Sequence, residues 1–108
     1  MSDKSEIIIY QTEDGLTKID VRLDEDTVWL TQAEMAELFN TTKQNVSLHI
    51  NNIFKEGELN KNSVVKEYLT TAADGKSYKT NFYNLDVIIS VGYRVKSIRG
   101  TQFRIWAN

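Results

Sequence analysis

Thr31-Gln-Ala-Glu-Met-Ala-Glu-Leu-Phe-Asn-Thr-Thr-Lys-Gln-Asn-Val-Ser-Leu-His-Ile-Asn-Asn-Ile-Phe54 is the stretch on which the fold turns. Thr31 with Glu34 three residues on is a capping box, in which hydroxyl and carboxylate each satisfy an orphan amide of a helix's first turn. Met35, Leu38 and Phe39 follow at helical spacing, and Ala36 permits close approach of a second element. Asn40 tolerates the left-handed conformation that ends a helix, and a Thr after it can cap the next one. A second helix is predicted from Lys43 to Glu56, closed by Gly57, with Val46, Ile50, Ile53 and Phe54 as its buried stripe. Two helices joined by a turn this short, with a small residue, turn and anchor at these offsets, are read as a helix-turn-helix, the alternative being an ordinary helical hairpin in a core.

In such a unit the second helix enters the major groove. Opposite the buried stripe, at 100° per residue, fall Gln44, Asn45, Leu48, Asn51, Asn52 and Lys55. Thr42 and Lys43 stand at the N-terminal end, where the helix dipole favours phosphate. Gln and Asn offer the donor–acceptor pair that matches adenine, which predicts A·T preference, and Leu48 suits a thymine methyl or a protein partner. His49 lies beside the stripe as a packing or phosphate-contacting residue.

Outward from this unit, Ile7 to Tyr10 and Leu16 to Leu23 read as two strands joined at Asp14-Gly15, followed by an acidic loop at Asp24-Glu25-Asp26. Val64 to Thr71 and Lys76 to Tyr83 read as a second hairpin around Asp74-Gly75, placed as a wing. Its tip and return strand carry Lys76, Ser77 and Lys79, suited to the DNA backbone, or equally to protecting a soluble edge. From Asn84 to Val95 the apolar residues alternate as in a strand, yet Asp86 as N-cap and Gly92 as helix end favour a short helix. Arg99 to Asn108 is expected to be helical, with Phe103 and Trp106 on one side. The fold class is therefore α+β, a winged helix-turn-helix in one domain over residues 1–108. Its parts are an N-terminal β-hairpin (1–30), the helix-turn-helix (31–57), the wing (64–83) and a C-terminal helical segment (84–108).

Composition narrows the function classes. With no cysteine and one histidine, thiolate chemistry and a histidine-rich metal site are excluded, and no cofactor or small-molecule substrate is inferred. No apolar run is long enough to span a bilayer, and the polar N-terminus does not fit a signal peptide, so a cytoplasmic protein is expected. The first thirty residues carry three basic and eight acidic side chains, whereas residues 64–108 carry seven basic and three acidic ones. A phosphate-gripping face must then come from the C-terminal half, where Arg94, Lys96, Arg99 and Arg104 cluster. That cluster is read equally as a backbone clamp and as solvation of a loop and helix.

The segment Asn81 to Ala107, NFYNLDVIISVGYRVKSIRGTQFRIWA, resembles a signature of the RhuM-like bacterial virulence-associated proteins. Val28 to Phe39, VWLTQAEMAELF, is similar to their N-terminal region. The resemblance implies an origin in a bacterial genomic island. It also implies that the chain is the N-terminal part of a longer protein, since relatives continue past a Trp-Ala pair corresponding to Trp106-Ala107. Some relatives stand alongside Fic/DOC-type proteins, but the catalytic histidine motif of those enzymes is missing. Arg99 to Trp106 is also distantly similar to phage antirepressor N-terminal domains, where a basic segment accompanies DNA binding. The expectation is sequence-specific double-stranded DNA binding by a transcriptional regulator, acting as a homodimer, and not an enzyme. The alternative is a module that docks a protein partner through the same winged fold.

Overall fold

The computed structural model describes residues 5–107. Three strands come first: β1 (Glu6–Gln11), β2 (Lys18–Asp24) and β3 (Thr27–Leu30). They form an antiparallel meander in which Tyr10 faces Ile19 and Leu23 faces Val28. Asp14-Gly15 makes the first bend, with Gly15 at φ 75°. The Asp14 carboxylate fixes it, accepting from the Thr12 hydroxyl (2.6 Å) and the Leu16 amide (3.0 Å). The acidic loop expected after β2 is instead a two-residue hairpin turn. Glu25 and Asp26 take φ values of 53° and 61°, and both must be positive for the turn to follow the strand twist. β3 then opens directly into the helices.

Helices α1 (Gln32–Phe39) and α2 (Lys43–Lys55) occupy the span the sequence predicts. Both halves of the capping box form: the Glu34 amide donates to Thr31 Oγ1 (3.1 Å), and the Thr31 amide donates to Glu34 Oε1 (2.8 Å). Burial nevertheless pushes the Glu34 carboxyl pKa up, against the pull of those two bonds. Asn40 closes α1 in the left-handed region (φ 55°, ψ 51°), and Thr42 caps α2 by accepting from the Asn45 amide (3.0 Å). Val46, Ile50 and Ile53 are buried, and Gly57 follows with φ 74°.

A four-residue helix, α3 (Lys61–Val64), then leads into β4 (Val65–Thr71) and β5 (Ser77–Asn84), hinged at Asp74-Gly75. α4 (Leu85–Arg94) and α5 (Ile98–Ala107) complete the chain. Two details of α4 differ from expectation. Its N-cap is Asn84, whose Oδ1 accepts from the amides of Asp86 and Val87, so Asp86 sits inside the first turn. Gly92 does not end the helix; the left-handed residue is Lys96, at φ 56°. The helical reading of 85–94 prevails over the alternation because Val87, Ile88 and Val91 form a buried stripe at helical spacing.

The five strands make one antiparallel sheet in the order β1-β2-β3-β5-β4. One face carries the helices, and a single apolar cluster runs from Tyr10 and Val21 through Leu30, Met35 and Ile50 to Val91 and Phe103. On the other face the Arg22 guanidinium stacks 4.1 Å from the Tyr68 ring centroid and 4.9 Å from that of Phe82. The molecule is α+β, as expected.

Among the described residues, three ion-pair groups tie chain regions far apart in sequence. Lys66 reaches Asp24 (3.1 Å) and Glu25; Arg94 reaches Glu56 (2.8 Å) and Glu58 (2.9 Å); Arg99 reaches Asp14 (3.0 Å). Much of the charge asymmetry along the sequence is thus spent inside the fold. The Thr12 hydroxyl, the Leu16 amide and the Arg99 guanidinium hold the Asp14 carboxyl at about 2, below its ordinary 3.8. A folded-state pKa below the unfolded one stabilises the fold above the unfolded value, and that contribution is lost as pH falls through the folded one. Thermal unfolding at stepped pH should therefore show wild type losing stability between pH 3.8 and about 2. Asp14→Asn should start lower and fall less over that window; parallel curves for the two proteins would refute this role.

Candidate functional site

The exposed side of α2 is built by helical spacing. Gln44, Leu48, Asn51 and Lys55 recur at the intervals that keep one stripe in line, opposite Val46, Ile50 and Ile53. All four are exposed, Leu48 at 55%. Lys43 is exposed at the first turn. Asn45 and Asn52 are half-buried, and the Asn45 side chain donates to Thr41 Oγ1 (2.9 Å), so it braces the turn. Thr42 spends its hydroxyl on the cap. His49 is half-buried beside the stripe. Between Lys43 and Lys55 there is no carboxylate.

Strand parity places the second hairpin's side chains. Tyr83 is buried against the core, so Asn81, Lys79 and Ser77 alternate with it onto the helix-bearing side of the sheet, opposite Glu67, Leu69 and Thr71. Lys76 follows Gly75 at the tip, where its amide donates to Asp74 Oδ1 (2.9 Å). Lys43, Lys55, Lys76 and Lys79 make no ion pair among the described residues. Gln32 at the start of α1 donates to the Tyr83 hydroxyl (3.2 Å), linking the two-helix unit to the hairpin's return strand.

The C-terminal cations divide. Arg94 clamps α4 to Glu56 and Glu58 beyond α2, and their carboxyls are held low by it, Glu58 first of all by the Ser90 hydroxyl. Arg99 also donates to the carbonyls of Glu37 (3.4 Å) and Leu38 (3.3 Å), completing the C-terminal end of α1. These two arginines serve as internal ties and do not join Lys96 and Arg104 in one basic clamp. Sequence reading missed this because every partner lies at least 36 residues away.

Residues 63–108 match the Virulence protein RhuM family. The match begins beyond the two-helix unit and covers the second hairpin, α4 and α5, so the resemblance is carried by the C-terminal part of the chain. No curated protein and no solved structure shows a significant match. No helix among the described residues is long and apolar enough to cross a membrane.

Proposed function

We propose that the chain binds double-stranded DNA sequence-specifically as a winged helix-turn-helix, with α2 in the major groove and the β4–β5 hairpin as the wing. The observation that carries this reading is the connectivity. The chain runs β3, α1, α2, the short α3, β4, β5, and the sheet order over these strands is β3-β5-β4. The hairpin is therefore laid beside the strand that launches the two helices, which is how a winged helix is wired. The carboxylate-free stripe Gln44, Leu48, Asn51 and Lys55 supplies the base-facing chemistry, and Lys43, Lys76, Ser77 and Lys79 supply the phosphate-facing chemistry.

Acting as a homodimer on two half-sites, such a module would regulate transcription of the bacterial genomic island that the family resemblance implies. Leu48 and Leu69, 55% and 70% exposed, favour one second reading, a protein partner docked on the same surface.

The test is a mobility shift after selection from a random duplex pool, at about 50 and 200 mM salt. A selected site should emerge whose binding weakens steeply with salt. Gln44→Ala with Asn51→Ala should weaken that site at least about tenfold and leave non-specific binding intact, since each bidentate amide–base pair contributes roughly 1–3 kcal/mol of discrimination. Absence of any salt-sensitive shift at the lower salt would sink the DNA reading and leave the partner reading standing.

A further inference from the structure

Lys96 and Arg104, the two cations of the C-terminal cluster left over from the ion pairs, border a groove of about 610 Å³ between α4 and α5. Its floor is backbone. A Cβ on Gly92 would lie 3.1 Å from the Phe39 ring, and one on Gly100 would lie 3.2 Å from the Gly92 Cα, so the helices cross backbone to backbone over the Phe39 ring. Its walls are mostly apolar: Ile89 and Tyr93 on α4, Ile98 with Thr101 on α5. Tyr93 is 86% exposed and Ile98 74%, an unusual concentration of bare apolar surface.

No carboxylate lines the groove. The adjoining Glu58 is bound to Arg94 and Ser90, and neither Lys96 nor Arg104 has an ion-pair partner among the described residues. An open, largely apolar groove of ligand size, bordered by cations and by no carboxylate, has the character of a site for a small anionic molecule.

We propose that the α4–α5 groove binds an amphipathic anion, a carboxylate or sulfonate on an aromatic or aliphatic body. The body lies over the glycine floor between Tyr93 and Ile98, and the headgroup meets Lys96 and Arg104. Charge decides the occupant. A second copy docked face to face on a two-fold axis would bring like cations together, whereas an anion is attracted to both.

The experiment titrates the intact chain, without DNA, with anilinonaphthalenesulfonate, using its uncharged parent phenylnaphthylamine as comparison. One saturable site is expected, preferring the sulfonate. K96N/R104Q, which keeps a residue tolerant of the left-handed backbone at position 96, should weaken it roughly tenfold at an unchanged melting temperature. Tyr93→Ser should weaken both probes alike. Lack of saturable binding, equal affinity in K96N/R104Q, or a concentration-dependent dimer dissolved by Tyr93→Ser would each overturn the assignment. The DNA reading stands or falls independently, since α2 and the β4–β5 hairpin contribute nothing to the groove.

Discussion

Phe103→Ala should destabilise the protein by about 3–5 kcal/mol, the range for emptying a fully buried aromatic site. Phe103 is the largest side chain with no exposure, and it comes from the last helix. Its ring meets Tyr10 edge-on at 5.1 Å and lies 5.5 Å from Trp106, which in turn lies 4.8 Å from Tyr10. Such aromatic pairs contribute roughly 0.5–1.5 kcal/mol beyond area burial, so one truncation releases β1, the helix layer and α5 together.

A domain of this size holds only about 5–15 kcal/mol in total. The variant should therefore unfold at a much lower urea concentration, by circular dichroism. Trp106→Ala, at a site already 41% exposed, should cost clearly less. Equal losses in the two variants would mean that α5 docks through its exposed edge and not through Phe103.

The local signals were legible because they are complete within a few residues. Thr31 and Glu34 satisfy each other, Asn40 and Gly57 end the two helices, and Asp14-Gly15 and Asp74-Gly75 bend the two hairpins. What escaped reading depends on distant contacts. β3 is four residues long, and only its bonding between β2 and β5 distinguishes it from a lead-in to α1. Glu25 takes a left-handed conformation its residue type does not favour, imposed by the two-residue turn that joins Asp24 to its partner Thr27.

Gly92 looked like a helix terminator by residue type, but the constraint on it is the approach of Gly100 and Phe39. The candidate site divides along the same line. The α2 stripe follows from periodicity alone. The fate of Arg94 and Arg99 was not legible, because nothing near them in sequence announces Glu56, Glu58 or Asp14 as partners.

That division makes the second large effect specific. On the proposed DNA-binding reading, with Arg94 and Arg99 tied down, phosphate anchoring would fall to lysines that make no ion pair among the described residues, Lys43 on α2 and Lys76 and Lys79 on the hairpin. Each phosphate neutralised releases condensed counterion, contributing about 0.9 to the slope of log affinity against log salt. Replacing all three lysines by glutamine should lower that slope by roughly 2.7 and weaken binding by about two to three orders of magnitude near 0.1 M salt.

The loss should be nearly uniform across duplex sequences, because backbone contacts position the protein and carry no base information. Gln44→Ala with Asn51→Ala should do the reverse, erasing discrimination while keeping the slope. Fluorescence anisotropy over a salt series separates the two. If R94Q/R99Q reduces the slope as much as the lysine variant while melting at the wild-type temperature, the arginines are phosphate ligands and their internal pairing is incidental. If it melts lower and keeps its slope, α4 and α5 serve to hold the hairpin and α2 in place, and the DNA-facing surface is only the stripe and the three lysines.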